Sequence, residues 1–308
     1  MSIIKVQGLT KKYGTVTAVD HISFEVERGT MLGFLGINGA GKTTAINMLS
    51  TLLKPDGGSA QLCGYTAGQE DQKIRRKIGI VYQQNCLDDL LSVQENLLCR
   101  GILHGASKRE AAMQLKQLCE ILKLNDILKK KYRTLSGGQK RRCEIAAALM
   151  HTPEILFLDE PTTGLDPATR RDVWMTIEEL RKDEKITVFL TTHYMEEAAG
   201  ADNIIILDHG KIVTSGTPFE LKEKYALDKL RLYFDISKLG EIRPLLGNYH
   251  KMERVENKGV EIALRSTVEA IPMIEAVKDK VEGFEVILGN MDDVFLNAVG
   301  HELTSVNN

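Results

Sequence analysis

Short segments with strand character recur along the first two thirds of the chain. In the clearest of them, Ile22, Phe24 and Val26 are separated by polar side chains, an alternation that predicts a strand with one buried face. Others are continuous apolar runs, which are typical of parallel strands buried on both faces. The segments predicted as strands are residues 3–6, 18–26, 31–35, 77–82, 155–158 and 186–190, with a hairpin over residues 203–213.

Apolar residues with helical spacing fall between these strands. Ile46, Leu49 and Leu53 predict a helix over residues 43–53, which the following Lys-Pro-Asp-Gly-Gly sequence ends. From about residue 87 to residue 150, leucine, glutamate and lysine dominate and β-branched runs disappear, so this region is predicted to be helical. The alternation of strands and helices predicts a layered α/β fold.

The pattern changes after about residue 221. Short strands and helices follow one another there without the long apolar runs of the first part, which predicts a small α+β unit. We therefore divide the chain into a first domain over residues 1–224 and a second over residues 225–308. The second is predicted to contain strands at 231–234, 260–264 and 286–288 and helices at 269–281 and 292–299.

Composition narrows the class of protein. The 308 residues are 27% charged and 43% hydrophobic with a formal net charge of −2, as in ordinary globular proteins, and no basic excess favours a nucleic-acid partner. The five cysteines include no C-x-x-C pair, which indicates reduced thiols in a cytosolic protein rather than a metal site. No apolar stretch approaches the ~20 residues that span a bilayer. A membrane role is therefore expected only through a partner.

A glycine-rich segment, residues 36–44 (GINGAGKTT), lies between a predicted strand and a predicted helix. It fits the pattern G-x-x-x-x-G-K-[ST], in which backbone N–H groups and a helix N-terminus surround phosphates. Lys42 is expected to reach the β- and γ-phosphates, and the Thr43 hydroxyl to ligate Mg²⁺. We call residues 36–44 the cradle; its predicted nucleotide-binding residues are Gly36, Asn38, Gly39, Ala40, Gly41, Lys42, Thr43 and Thr44.

Two carboxylates follow the buried apolar strand at residues 155–158. Asp159 is expected to hold Mg²⁺ through a water molecule, and Glu160 to orient the water that attacks the γ-phosphate. By itself, an acidic pair after a strand is more often a helix N-cap. The cradle in the same chain favours the catalytic interpretation.

The sequence LSGGQ at residues 135–139, here called the signature turn, has the spacing of a capping box between Ser136 and Gln139. Gly137 and Gly138 are poor helix formers, each costing up to about 1 kcal/mol against alanine. Their lack of side chains would let a phosphate approach the free N–H groups of the first helical turn. The signature turn is thus a candidate second anion site, and an ordinary cap with a tolerated Gly-Gly is the alternative.

Together these motifs resemble the nucleotide-binding subunit of an ABC (ATP-binding cassette) transporter. The resemblance covers residues 3–220 and includes the family's motifs in their usual order. It implies a P-loop NTPase fold of the ABC type: a RecA-like core with N-terminal antiparallel strands, a helical subdomain at about residues 87–150, and here a small C-terminal α+β domain. ATP and Mg²⁺ are the implied cofactors.

The resemblance assigns three further roles around the cradle. Tyr13, in the sequence KKYG, would stack on adenine. Gln83 would contact Mg²⁺ and the attacking water and link them to a membrane partner, although Gln84 beside it leaves this assignment open by one position. His193 would contact the γ-phosphate. Read singly, Tyr13 and His193 are more often packing or surface residues.

Other residues would act across a dimer. By resemblance, Ser136, Gly137, Gly138 and Gln139 contact the nucleotide bound by the opposite subunit, and Asp166 communicates across the interface. Asp166 precedes a proline, so shaping a turn is its simpler interpretation. Because one chain carries the full set of residues, a homodimer is sufficient, and a paralogous heterodimer is the alternative.

The implied function is ATP hydrolysis that powers export through a separate integral membrane permease by ATP-driven dimer closure. The subunit would lie in the cytoplasm, peripheral to the cytoplasmic face of the membrane. The C-terminal part, ending in MDDVFLNAVGHEL, is similar to the extra domain of drug-resistance exporter ATPases, which implies assembly or regulation. A packing appendix without a site is the alternative for that domain.

Two rival functions remain at this stage. A non-transport ABC ATPase acting on ribosomes or nucleic acid usually joins two cassettes or inserts long coiled coils, and neither pattern occurs in the sequence. A GTP-driven switch would require a guanine motif, N-K-x-D, which the sequence lacks.

Overall fold

A computed structural model describes residues 1–184, 186–246, 252–254, 258–264 and 266–305. The chain divides into two compact units, Met1–Ser215 and Gly216–Asn308. The predicted boundary, after residue 224, differs because helix Pro218–Tyr225 packs on helix Met291–Ser305 of the second unit. Among the described residues, no helix combines the length and apolar character needed to cross a bilayer.

The first unit contains two sheets and six α-helices in its described part. Its strands are β1 (Ser2–Tyr13), β2 (Val16–Glu27), β3 (Met31–Leu35), β4 (Gly57–Leu62), β5 (Tyr65–Thr66), β6 (Ile78–Val81), β7 (Ile155–Asp159), β8 (Thr187–Thr192), β9 (Asn203–Asp208) and β10 (Lys211–Gly216). Its helices are α1 (Lys42–Leu49), α2 (Asp71–Arg75), α3 (Val93–Leu103), α4 (Lys108–Ile121), α5 (Gly137–Leu149) and α6 (Pro167–Glu184).

The larger sheet places the ends of several strands side by side. Its order is β10-β9-β3-β8-β7-β6, and the pairings of β3 with β8 and β9, and of β7 with β6 and β8, are parallel. Every residue of β3, β7 and β8 is buried, as their continuous apolar sequences predict. Because parallel strands end at the same edge, the residues after β3, β6, β7 and β8 are brought together.

The smaller sheet is antiparallel, with order β2-β1-β4-β5. Its apolar face packs on the larger sheet in one core that includes Ile4, Ile22 and Phe34. The alternation read from Ile22, Phe24 and Val26 is that of β2. β4 was not predicted, because its first residues, Gly57 and Gly58, were taken only as the end of the preceding helix.

The helix predicted over residues 43–53 is shorter in the structure, since α1 ends at Leu49. Thr51 has a positive φ of 63°, and the N–H of Leu53 donates to the Asn47 carbonyl at 2.9 Å, so the chain turns there. Leu53 packs against the core from this turn. It therefore matches helical periodicity without being helical.

The region predicted to be helical, residues 87–150, contains α3, α4 and α5, which pack on one another. Each helix begins with a capping box: Ser92 with Glu95, Ser107 with Glu110, and Ser136 with Gln139. The Ser136 box confirms the start of α5 that the sequence predicted. A helix that the sequence analysis did not predict, α6, follows the buried strand β7.

The second unit has the βαββαβ order of a ferredoxin-like domain. The elements of this set are β11 (Asp228–Tyr233), α8 (Leu239–Ile242), β12 (Met252–Arg254), β13 (Gly259–Leu264), α9 (Ala270–Val277) and β14 (Gly283–Ile287), with α7 (Pro218–Tyr225) before it and α10 (Met291–Ser305) after it. The antiparallel sheet has the order β12-β13-β11-β14. Helix α9 buries Ala270, Met273 and Val277 in the core beside this sheet, which agrees with the expected small α+β unit.

His151, just after α5, makes the first unit sensitive to acid. Its Nε2 donates to the Ile78 carbonyl at 2.9 Å, its ring stacks on His104, and its Nδ1 is buried without a partner. Burial, with the neighbouring His104, lowers the pKa of His151 to about 4 from an ordinary 6.5. The unfolded chain therefore binds more protons between these values, and the free energy of unfolding falls as pH falls through this window.

We expect His151→Gln to remove about 2 kcal/mol of the stability difference between pH 7.5 and pH 5, because the amide does not titrate. Urea unfolding of the full chain at the two pH values measures this. His209→Gln is the matched control, since the His209 side chain is 89% exposed. An unchanged pH dependence in His151→Gln would contradict the prediction.

Candidate active site

The cradle connects the end of β3 to the start of α1. Gly41, immediately before the helix, has φ +104°, and a Cβ on it would lie 2.3 Å from the Ala18 carbonyl oxygen. Only glycine fits this position, because β2 passes directly behind it. The helix carries no side-chain cap, so its first N–H groups are available to an anion.

A cavity of about 360 Å³ opens above these N–H groups. It combines cradle residues with one residue of β2 and two side chains from the ends of neighbouring strands of the larger sheet. The residues that line it are Ala18, Asn38, Gly39, Gly41, Lys42, Thr43, Thr44, Gln83 and Glu160.

Lys42 is 5% exposed and points back over the cradle. Its Nζ donates to the carbonyls of Gly36 and Ile37 at 2.7 and 3.2 Å and lies 3.4 Å from Glu160 Oε1. A buried ammonium held by carbonyls and one carboxylate is well placed to bind a phosphate oxygen. Ile37 contributes only its backbone carbonyl to the contacts described around Lys42.

Asp159 ends β7 beside the first turn of α1. Its carboxylate accepts from the Thr43 hydroxyl at 3.2 Å and from the Thr191 hydroxyl at 2.6 Å. Burial raises the pKa of Asp159 and outweighs these two hydrogen bonds, with the charge of Glu160 acting in the same direction as burial. A divalent cation beside Thr43 and Asp159 would favour the ionised carboxylate, so these residues fit Mg²⁺.

Glu160 follows β7 and is contacted by side chains from the ends of the neighbouring strands β6 and β8. Its Oε2 lies 3.2 Å from Gln83 Nε2 and 3.1 Å from His193 Nδ1, and it accepts from the Thr163 hydroxyl at 3.2 Å. Burial opposes its ionisation, but the contacts with His193 and Lys42 outweigh burial and hold the pKa of Glu160 below its ordinary value. The carboxylate is therefore ionised at neutral pH and able to accept a proton.

Gln83, Glu160 and His193 form a cluster of contacting side chains. Gln84 has no described contact with it. The exposed Gln84 contributes its carbonyl to the thiol of Cys86 instead. Tyr13 is 52% exposed near the end of β1 and is not among the residues lining the cavity. It lies on the same β1–β2 hairpin as Ala18, which does line it.

The signature turn is not part of this cavity. Ser136 Oγ accepts from the N–H of Gln139, and Gln139 Oε1 from the N–H of Ser136, as in the predicted capping box. A Cβ on Gly138 would lie 2.2 Å from Thr169 Cγ2, so within one chain a larger residue there would require the Thr169 side chain of α6 to move. Asp166 accepts from the N–H groups of Ala168 and Thr169, which makes it the cap of α6.

Comparisons with known proteins agree with these features. Residues 19–163 match the family model described as ABC transporter. The chain is also 38% identical to the daunorubicin/doxorubicin resistance ATP-binding protein DrrA of Streptomyces peucetius, over 97% of this chain and 92% of that protein. The chain belongs to the ABC transporter family.

Other members of the ABC family support the same assignment. The Nod factor export ATP-binding protein I of Ralstonia nicotianae is 36% identical over 98% of this chain and 95% of that protein. A dimeric ATP-binding cassette, MJ0796, solved with ADP and Pi after hydrolysis, matches with a TM-score of 0.62 and 30% identity, covering 70% of this chain and 98% of that one. The predicted ABC-type fold is confirmed, and the chain is an ATP-binding ATPase subunit of a transporter.

The sequence analysis missed several residues of this ABC subunit that hold the predicted site residues. Thr191, in β8, bonds Asp159, and its carbonyl accepts from the Glu160 N–H at 3.0 Å. Thr163 bonds Glu160 directly. The buried Arg141 lies against the backbone of the same cluster. No short motif marks them, because each is positioned by tertiary packing.

Proposed function

We propose that this ABC subunit hydrolyses ATP in a dimer and thereby drives export through a separate membrane permease. The observation that carries the proposal is the convergence of Gln83, Glu160 and His193 beside Lys42, with the signature turn outside the same cavity. One chain supplies the phosphate cradle and the carboxylate. A second copy is needed to bring a signature turn to the γ-phosphate.

Within one chain, the cradle N–H groups and Lys42 bind the phosphates and Tyr13 stacks on adenine. Glu160 accepts the proton of the attacking water while the water oxygen bonds to the γ-phosphorus, and ADP leaves with the bridging oxygen. Gln83 orients this water, and His193 holds Glu160 and contacts the γ-phosphate. Positioning and charge neutralisation supply most of the catalysis.

Mg²⁺ fits this site and would be held by the Thr43 hydroxyl, by Gln83 and, through water, by Asp159. When bound, the ion neutralises charge on the β- and γ-phosphates. The donor chemistry supports a cation at this position, because the buried Asp159 carboxylate lies 3.2 Å from the Thr43 hydroxyl.

Across the dimer, Ser136, Gly137, Gly138 and Gln139 of one subunit contact the nucleotide of the other, and Asp166 lies at the interface. The chain carries every residue of both half-sites, which supports a homodimer, and a paralogous chain with the same motifs could also pair. The MJ0796 structure is described as dimeric, which is the assembly proposed here.

The names of the relatives support proposals for the permease, the cargo and the cellular position. DrrA is named for daunorubicin and doxorubicin resistance, and the Ralstonia protein for Nod factor export. We therefore propose export of a drug, lipid or similar hydrophobic compound, with this subunit bound to the permease at the cytoplasmic face of the membrane and without a nucleic-acid partner. The second unit, Gly216–Asn308, would assist assembly or regulation.

Expressing the tagged full chain with the genes beside it tests the proposal. We expect an integral membrane protein to co-purify in detergent, and its presence to raise ATP turnover in lipid vesicles. Competition with GTP distinguishes a guanine-nucleotide switch, since ATP should displace a labelled ATP analogue more readily than GTP does. Co-purification of ribosomes or nucleic acid in place of a membrane protein would overturn the transport assignment.

A further inference from the structure

Arg141 is a buried cation in the second turn of α5. It is 4% exposed, and its guanidinium donates only to backbone carbonyls in the contacts described for it. Nη1 bonds Tyr82 O at 2.6 Å, and Nη2 approaches Gln83 O at 3.3 Å and Glu160 O at 3.5 Å. The Arg141 side chain therefore joins the backbone of Gln83 to the backbone of Glu160, the proposed catalytic carboxylate.

Glu144, one turn later on α5, accepts hydrogen bonds from the C-terminal end of the loop that carries Gln83. It is 5% exposed, and its Oε1 accepts from the N–H groups of Cys86 and Leu87 at 2.8 and 3.1 Å. The Tyr132 hydroxyl donates to the same oxygen at 2.8 Å. The loop after β6, residues 82–87, is thus held at both ends by a single helix.

That helix begins at the signature turn. Ser136 caps α5, so Arg141 follows Ser136 by five positions, which is little more than one helical turn. The signature turn, the loop carrying Gln83, and the backbone of Glu160 are consequently tied into one body. A shift of any one of them must stretch the hydrogen bonds of Arg141 or Glu144.

We propose that Arg141 and Glu144 are positioning residues that fix Gln83 and Glu160 to the signature turn. This inference rests on the proposed function, because it assigns a consequence to the roles of Gln83 and Glu160 given there. Through the hydrogen bonds of Arg141 and Glu144, the positions of Gln83 and Glu160 at a subunit's own nucleotide determine the position of its signature turn. That turn contacts the nucleotide of the other subunit in the proposed dimer. Arginine suits the task because its planar fork reaches several carbonyls at once, whereas the ammonium of lysine is a point charge.

A double-mutant cycle on ATP turnover tests whether Arg141 acts through Gln83. We expect Arg141→Met to lower kcat about tenfold or more and to change the Kd for ATP by less than about threefold, since it touches no cradle residue. In the Gln83→Ala background the same substitution should lower kcat by a clearly smaller factor, because only the part of its effect that passes through the Glu160 backbone remains. Arg141→Lys, which keeps the charge without the fork, should recover only part of the loss.

If Arg141 only stabilises the fold, a different result is expected. Arg181→Met is the matched control, because Arg181 donates to Asp202 at 2.9 Å outside the cluster, so a loss of general stability would lower kcat in both variants alike. Equal losses of kcat with and without Gln83 would overturn the inference and leave the proposed function intact. A Gln83→Ala variant with unchanged turnover would instead remove the role of Gln83 in the proposed function, and the inference with it.

Hydrogen exchange gives a readout that does not depend on turnover. Removing the acceptor by Glu144→Ala should speed exchange in the peptide containing Cys86 and Leu87 at least tenfold, with smaller changes in the peptides of β7. This measurement also serves if Arg141→Met folds poorly. Unchanged exchange at residues 82–87 would show that α5 does not hold the loop.

Discussion

Glu160→Gln is expected to lower ATP turnover by about two to four orders of magnitude, the usual contribution of a general base. Glutamine keeps the shape of the side chain and can still contact His193 and Thr163, but it cannot accept the proton of water. The contacts with His193 and Lys42 lower the pKa of Glu160 and so keep its carboxylate ionised. An uncharged amide has no proton-accepting form that these contacts could stabilise.

The same variant should accumulate as a dimer with ATP. Nucleotide bound between two copies links them, and without hydrolysis the link persists. Size-exclusion chromatography with and without ATP measures this. Glu154→Gln is the control, because Glu154 pairs with Arg28 and Lys77 at the other end of β7 and undergoes the same chemical change. A variant that stays monomeric with ATP, or one that hydrolyses at the normal rate, would contradict the role of Glu160.

The fold could be predicted where the signal was local. The cradle, the buried strand before Asp159 and the capping box at Ser136 are each encoded within about ten residues, and all three appear in the structure as expected. The shortened α1 shows the limit of this approach, since Leu53 satisfied a helical pattern from a turn. Periodicity reports which residues are buried, and the backbone that buries them depends on tertiary contacts.

The site shows the same division. Gln83, Glu160 and His193 are far apart in sequence, and only the parallel order of β6, β7 and β8 brings them to one edge. The sequence analysis left Gln83 and Gln84 unresolved because they are adjacent in the same loop, and only Gln83 has a described contact with Glu160. Arg141 gave no signal at all, since a basic residue on a helix is ordinarily solvated.

Gly138 in the signature turn has two possible reasons to be glycine, access for a phosphate and packing against α6. The glycines of this turn were read as space for a phosphate, and in the single chain Gly138 instead accommodates Thr169. Both demands can act on one position, because packing against α6 fixes the helix start that would face a second subunit. The assignment of this turn to a nucleotide therefore stays a prediction that the dimer experiment tests.

Lys42→Ala is expected to weaken ATP binding about 10- to 100-fold. The ammonium would exchange its carbonyl contacts for phosphate oxygens, and charge-assisted hydrogen bonds of this kind contribute about 1.5–3 kcal/mol. Isothermal titration calorimetry of the full chain with ATP measures the loss. Because Lys42 also lowers the pKa of Glu160, its removal should raise that pKa and move the acidic limb of any residual activity to higher pH.

Lys73→Ala is the control for a general charge effect, since Lys73 is 61% exposed and pairs only with Glu70 among its described ion pairs. Circular dichroism at the same temperature separates lost binding from lost folding, because Lys42 also bonds the Gly36 and Ile37 carbonyls. If Lys42→Ala folds and binds ATP as tightly as the unmodified chain, the phosphates are not held where the cradle places them. The roles proposed for Glu160, Gln83 and the signature turn would then also fail, because each was assigned relative to a γ-phosphate bound by the cradle.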